Sequence, residues 1–207
     1  MSSIEALLKL GNARGPGPAA TYGPSQLLIV LMKIGESGSI GRHNLATEAG
    51  LGDGAVRTVI KWLKEGGYIG TKAEGCFLTR KGELAYLELK KTVPRYLELS
   101  EAPLAVGRRQ VAVVVRRRSG RVRSGIEQRD SSIKAGADGA TTYVVEGSKF
   151  QVPGSSRDAA KDFPSPAWAE LKSGLKPGSG DVVIVCGSDS VQRSLVGAMS
   201  AALTLLS

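Results

Sequence analysis

Residues 42–61, RHNLATEAGLGDGAVRTVIK, constrain the fold more than any other stretch of the chain. They predict two short helices joined by a tight turn, with the small Ala46 where the helices cross and Gly50 where such a turn calls for a positive φ. Asp53 is the predicted N-cap of the second helix. That helix has apolar residues at i, i+3, i+4 and i+7, which is the spacing of a buried stripe. The stripe consists of Val56, Val59, Ile60 and Leu63.

The stripe leaves Arg57, Thr58 and Lys61 on the outer face of the second helix. A basic face with one short hydroxyl suits a helix in the major groove of DNA, because arginine can reach the edge of guanine and lysine can reach a phosphate. A second interpretation stays open. The two helices could form a helical hairpin in an ordinary core, and the outer charges would then only be solvated.

A hairpin is predicted directly after the second helix. Residues 68–71 and 76–79 predict two short strands, and residues 72–75 predict the turn between them. The flanking predicted elements are helices at 24–35 and 80–89 and a short third strand at 39–41. A helix-turn-helix followed by a β-hairpin is the arrangement of a winged helix.

Over residues 24–92 the chain resembles the winged-helix DNA-binding domain of prokaryotic regulators. The LTRKG step out of the hairpin, residues 78–82, adds to this resemblance. The resemblance implies binding to double-stranded DNA through the first residue of the motif, the second helix and the hairpin. The candidate DNA-binding residues are Arg42, Arg57, Thr58, Lys61, Lys64 and Lys72.

The net charge of +9 and the isoelectric point of 9.7 favour polyanionic partners, with nucleic acid first among them. With 207 residues, 42% of them hydrophobic, the chain can bury two small cores. Its longest apolar stretch, residues 195–206, is shorter than the ~20 residues that cross a bilayer. Residues 1–10 lack the pattern of a signal peptide. We expect a cytoplasmic protein that does not associate with membranes.

Few residues in the chain could support metal binding or catalysis. Cys76 and Cys186 are the only cysteines and have no CxxC partner, and His43 is the only histidine. The sequence also lacks P-loop, GxSxG and paired-histidine motifs. We therefore expect no metal, no other cofactor and no catalytic residues, and we expect both cysteines to be small buried strand residues.

The sequence divides into four parts. Residues 1–23 predict a short helix and a loop, residues 24–92 the winged helix, and residues 104–207 a second domain. Between them we predict a linker over residues 93–103, because Pro94 and Pro103 interrupt helical structure.

The C-terminal part predicts an α+β domain. Strands are predicted at 110–115, 140–145, 150–152 and 181–186, and helices at 125–135, 166–173 and 191–206. The run DVVIVC, residues 181–186, is nearly all apolar, which is typical of a strand buried on both faces. We predict a sandwich-like α/β domain with a mixed or antiparallel sheet.

Seven arginines and no acid lie between residues 108 and 123. Ser119-Gly120 predicts a turn that folds residues 110–123 into a hairpin. In one interpretation the arginines form a second phosphate-contact surface or bind an anionic effector. In the other they are a solvated strand edge that discourages aggregation.

The turn after residues 181–186, Gly187-Ser188-Asp189-Ser190, precedes a predicted helix. A helix N-terminus after a small-residue turn can offer amides to an anion. The alternative is that Ser188 or Asp189 only caps the helix. The candidate effector residues, which we infer from clustered polar side chains, are Arg117, Arg121, Gln128, Arg129, Asp130, Ser188 and Asp189.

Three segments resemble an archaeal family of transcription regulators with an N-terminal winged helix-turn-helix and an uncharacterised C-terminal domain. They are GLGDGAVRT, GIEQRDSSIKAGADGATTYVVEG and GDVVIVCGSDS…GAMSAALTLL. The resemblance spans nearly the whole chain. It implies the two-part architecture, but it implies no ligand and no reaction.

Three functions can be compared. The first is a transcription regulator whose winged helix reads duplex DNA, and whose C-terminal domain serves to form a homodimer or to sense an anionic small-molecule effector. The second is an enzyme or small-molecule-binding protein whose C-terminal domain acts on an anionic metabolite. The third is a winged helix used for protein contacts or for architectural nucleic-acid contacts, which the weakly basic turn at 72–75 favours. We expect the first.

Overall fold

The structure is a computed structural model that describes residues 3–12, 23–100 and 104–206. Most of the loop predicted before residue 24 and Pro103 of the predicted linker lie outside these residues. The chain forms two compact units, Met1–Lys90 and Lys91–Ser207. No helix in the described ranges has both the length and the apolar character needed to traverse a bilayer.

The N-terminal unit combines helices with one antiparallel hairpin. Its elements are α1 Ser3–Asn12, α2 Pro24–Ser37, α3 Arg42–Ala49, α4 Asp53–Glu65, β1 Ile69–Lys72, β2 Gly75–Leu78 and α5 Arg80–Thr92, which ends just past the unit boundary. Lys72 lies opposite Gly75, so Ala73-Glu74 form a two-residue turn. Ile40 adds a single antiparallel bridge to Cys76. The helices and the two hairpin strands of residues 24–92 thus lie close to where the sequence predicts them, whereas the third strand predicted at 39–41 is only this single bridge.

α2 lies at the centre of the N-terminal unit and contacts α1, α3, α4 and β2. Pro24 occupies its first turn, where the missing amide hydrogen costs no helical hydrogen bond. Its buried side chains include Leu27, Leu28, Leu31 and Ile34. A helix that is apolar on most sides is buried by its neighbours, so α2 organises the core on which α3 and α4 rest.

The C-terminal unit is built around one five-stranded sheet. Its elements are β3 Tyr96–Leu99, β4 Arg109–Val115, α6 Ile126–Lys134, β5 Gly139–Glu146, β6 Lys149–Gln151, α7 Ala159–Asp162, α8 Ala167–Leu175, β7 Val182–Ser188 and α9 Val191–Leu203. The strand order is β3-β4-β7-β5-β6, and every neighbouring pair is antiparallel. The protein is therefore a mixed α+β protein, and of the two predicted sheet types it has the antiparallel one.

Helices cover both faces of this sheet. α6 and α9 contact each other and lie against β4, β5 and β7, while α7 and α8 contact β6, β3 and β4. All seven residues of β7 are buried, as the apolar run DVVIVC predicts. On the α8 side, Tyr143, Phe150 and Trp168 pack with ring centroids 5.1 to 6.4 Å apart. Burial raises the pKa of Tyr143 to about 12, and its hydroxyl donates to the Leu104 carbonyl.

The segment predicted as a linker, residues 93–103, contains strand β3. Tyr96–Leu99 pairs with β4 in antiparallel register, and Val93 is buried. Pro94 does lie between α5 and β3, but a proline just before a strand at the edge of a sheet removes no ladder hydrogen bond. The flanking prolines therefore do not make this segment a linker, and the four-residue strand was missed.

Residues 110–123 do not form the predicted hairpin. β4 ends at Val115, and Ser119–Arg121 form one turn of 3-10 helix before α6. The reason lies in the sheet, where β3 and β7 occupy both edges of β4. A strand that turned back at Ser119-Gly120 would find no free edge of β4 to pair with.

A Gly187→Ala substitution tests the close packing at the end of β7. A Cβ at residue 187 would lie 2.0 Å from the carbonyl oxygen of Val106. Because that oxygen belongs to the backbone, we expect the free energy of unfolding to fall by about 2 kcal/mol.

The matched control is Gly120→Ala, where no atom lies within 4 Å of the added Cβ. We expect this control to change the free energy of unfolding by less than about 0.5 kcal/mol. Urea denaturation measures both values. Equal stability of the two variants would contradict the close approach of residues 106 and 187.

Candidate functional site

The turn between α3 and α4 has a left-handed residue. Gly50 has φ 62° and ψ 34°, a conformation that glycine adopts without the steric cost of a Cβ. Its amide donates to the Thr47 carbonyl at 3.3 Å, and the Leu51 amide donates to the Ala46 carbonyl at 2.9 Å. These bonds end α3 and direct the chain into α4.

α4 buries one side and exposes the other. Val56, Val59 and Leu63 of the predicted stripe are fully buried, whereas Ile60 is half-buried. The side chains of Arg57 and Lys61 are 59% and 70% exposed. The predicted separation of an apolar and a basic face is therefore present on this helix.

Thr58 is less available than its neighbours on the outer face. It is half-buried, and its hydroxyl donates to the Gly54 carbonyl at 3.1 Å. With its hydrogen used inside the helix, the hydroxyl can serve a ligand mainly as an acceptor.

Asp53 does not cap α4, contrary to the prediction. Gly52 is the N-cap, and Asp53 is the first residue of the helix. From that position its side chain lies one turn before Arg57, with which it forms an ion pair at i, i+4. The same carboxylate lies 3.5 Å from Nε of Arg42 at the start of α3. One acid thus holds the two arginines of the candidate set together.

The hairpin lies beside α4. Lys64 Nζ donates to the Thr71 hydroxyl of β1 at 3.2 Å. Lys72 lies 3.7 Å from Glu74 in the turn. Gly75 has φ 129°, and a Cβ there would lie 2.3 Å from the Ile40 carbonyl oxygen. The start of β2 is therefore held close to the short bridge at residue 40.

The six candidate DNA-binding residues all belong to the N-terminal unit. The structure joins Arg42 to Arg57 through Asp53, and joins Lys64 to the hairpin. The ion pairs involved are exposed, and exposed pairs contribute only about 0–1 kcal/mol each. An incoming anion could therefore replace Glu74 beside Lys72, and Glu65, which lies 3.8 Å from Lys61, at little cost.

The structure does not bring the candidate effector residues together. Gln128 is buried and its amide donates to the Thr204 hydroxyl, which follows the end of α9. Ser188 and Asp189 precede the start of the same helix. α9 has 13 residues, so these groups are separated by roughly 20 Å at 1.5 Å per residue.

The remaining candidates also have separate partners. Arg129 and Asp130 are neighbours on α6 and pair with each other at 3.2 Å. Arg117 and Arg121 lie after β4, in and beside the 3-10 turn, and both are exposed. The predicted set is therefore spread over several parts of the C-terminal unit.

The turn before α9 is closed by its own side chains. The N-cap is Ser190, whose hydroxyl accepts from the Arg193 amide, so neither Ser188 nor Asp189 is the cap. Ser188 is still the last residue of β7, and its buried hydroxyl donates to the Ser190 carbonyl at 2.7 Å. Arg193 binds both oxygens of Asp189 at 2.9 Å and also the Gly136 carbonyl.

Asp181 is a buried, ion-paired residue that the sequence pattern does not single out. It is buried directly before β7 and accepts hydrogen bonds from the amides of Gly178 and Arg117 and from the Arg116 guanidinium. Burial alone would raise the pKa of Asp181, but these three donors outweigh it and hold the pKa below its ordinary value. The available signal was the segment PGSGD, in which an acid lies between a glycine-rich turn and an apolar strand.

Residues 106–205 match the model of a family described as Domain of unknown function (DUF4443). This match covers most of the C-terminal unit. No curated protein matches the chain.

A solved structure, a hypothetical protein from Pyrococcus horikoshii OT3, is similar to the chain over most of its length. The two are 27% identical, with a TM-score of 0.73, and the similarity covers 89% of this chain and 92% of that one. The C-terminal domain of unknown function and the archaeal relative agree with the resemblance found in the sequence. The winged helix-turn-helix assignment stays a prediction.

We expect Asp181→Asn to lower the free energy of unfolding by about 2 kcal/mol at pH 7, because it leaves the partly buried Arg116 without its carboxylate. The pKa of Asp181 in the folded protein lies below the ordinary value of 3.8. The ionised carboxylate therefore contributes stability above that value, and the contribution is lost as the pH falls through the folded pKa. The stability difference between wild type and variant should narrow as the pH falls from about 5 to about 2.

Urea unfolding at a series of pH values measures this difference. Asp130→Asn is the matched control, because Asp130 pairs with Arg129 on the exposed side of α6. We expect its effect to be below about 0.5 kcal/mol. If the free energy of unfolding of the wild type exceeded that of Asp181→Asn by the same amount at every pH in this range, the ionised carboxylate would not be the source of the difference.

Proposed function

We propose that this protein is a DNA-binding transcription regulator whose N-terminal unit is a winged helix-turn-helix. One observation carries the proposal: α4 buries its apolar stripe against the core and exposes Arg57 and Lys61, with the β1–β2 hairpin attached at Lys64. A helix of this kind fits the major groove, with the residues near its N-terminus closest to the base edges. The hairpin then lies near the phosphate backbone.

Each candidate residue has a proposed role. Arg57, in the first half of α4, contacts a base edge with its guanidinium. Arg42, Lys61, Lys64 and Lys72 contact phosphates, and Thr58 accepts a hydrogen bond. Phosphate contacts fix the position of the helix, while base contacts select the sequence.

We further propose that the regulator acts as a homodimer on a palindromic site. Two copies of α4 would then lie roughly 34–36 Å apart, one turn of DNA. The scattered positions of the candidate effector residues do not support a small-molecule pocket, so no effector is included in the proposal.

A second candidate function is a winged helix that contacts a protein or binds nucleic acid without sequence preference. It is favoured by the turn of the hairpin, where Lys72 pairs with Glu74. It is also favoured by the modest charge of the N-terminal unit, which has 11 lysines and arginines against 8 acids.

Selection of bound fragments from genomic DNA by the full-length protein separates these functions. The proposed regulator should enrich one compact palindrome. Enrichment of fragments without a shared motif favours sequence-neutral binding. Recovery of no DNA above background would contradict the proposed function.

On the selected site, Arg57→Ala should weaken binding by about 1–3 kcal/mol and relax the preference at one base position. Lys61→Ala should weaken binding to all sequences alike and reduce the slope of log affinity against log salt by about 1. Titration of labelled duplexes at several salt concentrations measures both effects.

Arg80→Ala is the matched control, because Arg80 lies on α5 and its side chain is 83% exposed. This variant should bind like the wild type. Equal losses on every sequence for both Arg57→Ala and Lys61→Ala would count against base readout by Arg57.

Asp53→Asn tests whether the shared carboxylate orients Arg57. Removing this negative charge should tighten binding to all duplexes, since the acid faces the phosphates in the proposed complex. It should also reduce the preference at the base position read by Arg57, because the guanidinium loses the partner that fixes its direction. Affinities for the selected site and its single-base variants measure both quantities, and an unchanged preference would show that Asp53 does not orient Arg57.

A further inference from the structure

Three successive arginines follow β4, and their surroundings differ. The Arg116 guanidinium pairs with Asp181 and donates to the Lys176 carbonyl at 3.0 Å. Arg118 Nε donates at 3.1 Å to a carbonyl just beyond the end of α9. Both side chains therefore bind within their own unit. The Arg117 side chain, in contrast, is exposed and forms no ion pair with any described residue.

Arg117 also has a backbone conformation that is unfavourable for a residue with a Cβ. Its φ is 51°, and that of Lys176 is 47°. In the described part of the chain, these are the two residues other than glycine with a positive φ. A left-handed residue with a Cβ is less stable than glycine at the same position. If only the shape of the backbone mattered, glycine would serve better at both positions.

One ion pair holds these two left-handed residues near each other. The Arg117 amide donates to one oxygen of Asp181 at 3.0 Å. The Arg116 guanidinium joins the other oxygen of Asp181 to the Lys176 carbonyl. Because each hydrogen bond in this series is about 3 Å long, the Arg117 amide nitrogen and the Lys176 carbonyl oxygen lie within roughly 11 Å of each other. Two long, exposed cationic side chains, those of Arg117 and Lys176, therefore extend from backbone that the Arg116–Asp181 ion pair holds in place.

The net charge around the Arg116–Asp181 ion pair is positive. Asp181 is buried, and its charge is used by Arg116 and by the amides of Gly178 and Arg117. Glu146 follows Val145, whose amide donates to the Asp181 carbonyl, and it keeps its negative charge because its own hydrogen bond comes from the neutral Gln151 amide. Two acids, Asp181 and Glu146, therefore stand against four cations, Arg116, Arg117, Arg118 and Lys176. The whole C-terminal unit has 17 lysines and arginines against 11 acids, so it holds most of the excess positive charge of the chain.

We propose that Arg117 and Lys176 form a phosphate-contact surface on the C-terminal unit, and that its partner is the phosphate backbone of nucleic acid. The proposal deepens the proposed function and rests on it for the identity of the partner. Arg117 provides a planar fork for phosphate oxygens, and Lys176 provides a compact charge beside it. Binding of phosphate by these two side chains would explain why two positions that favour glycine hold an arginine and a lysine.

The test compares Arg117→Gln/Lys176→Gln with wild type in the full-length protein. Each lost phosphate contact reduces the slope of log affinity against log salt by about 0.9 on duplex DNA, so the double variant should lose about 1.8. The matched control is Lys134→Gln/Arg157→Gln, which removes one lysine and one arginine at other exposed positions of the same unit. The control should keep the wild-type slope.

A second variant separates a binding role from a folding role. Arg117→Gly removes the side chain and relieves the left-handed strain, so its melting temperature should rise while its salt slope falls by about 0.9. A lower melting temperature for Arg117→Gly would show that the arginine is kept for stability, and it would overturn the proposal.

An unchanged slope in the double variant, or an equal fall in the control, overturns the phosphate-contact surface. If the wild type binds no DNA, the proposed function fails, and the surface is tested with inorganic tripolyphosphate at constant ionic strength. A site for free phosphates is supported if tripolyphosphate raises the melting temperature of the wild type and the control but not that of the double variant. If all three proteins respond alike, the phosphate-contact surface is overturned.

Discussion

The C-terminal unit depends on the complete burial of β7. This strand pairs with β4 along one edge and with β5 along the other, while α9 and α8 contribute to the layers on its two faces. Because β7 has no exposed side, its run of valine, isoleucine and cysteine is expected, and its one polar side chain, Ser188, is hydrogen-bonded to the Ser190 carbonyl. The charged groups Asp181 and Asp189 lie just before and just after β7.

Five arginines of the described residues fall into two groups by what they bind. Arg116, Arg118 and Arg193 donate to main-chain carbonyls next to helix ends or turns, where the guanidinium satisfies oxygens that have no helical partner. Arg57 and Arg117 are exposed and have no carbonyl partner among the described contacts. Net charge therefore overstates the cations available to a ligand. The distinction requires the surroundings of each guanidinium, since the residue type is the same.

Sequence reasoning succeeded where the structure is set by local spacing. The apolar stripe of α4, the left-handed Gly50 and the burial of β7 follow from residues close together in the chain. The Asp53–Arg57 pair could also have been predicted, because i, i+4 is the usual spacing of a helical ion pair. The strand at 96–99 and the turn after Val115 could not, because both depend on which strands occupy the edges of β4. The Arg116–Asp181 pair likewise joins residues 65 positions apart.

The strands at the two edges of the five-stranded sheet are short. β3 has four residues and β6 has three, whereas the inner strands have seven or eight. An added strand gains main-chain hydrogen bonds only along the length of the edge that it meets. At either of these two strands, continuing the sheet into a neighbouring molecule would therefore gain few main-chain hydrogen bonds. An assembly through β3 or β6 would rely mainly on contacts between side chains, where each substitution can change the choice of partner.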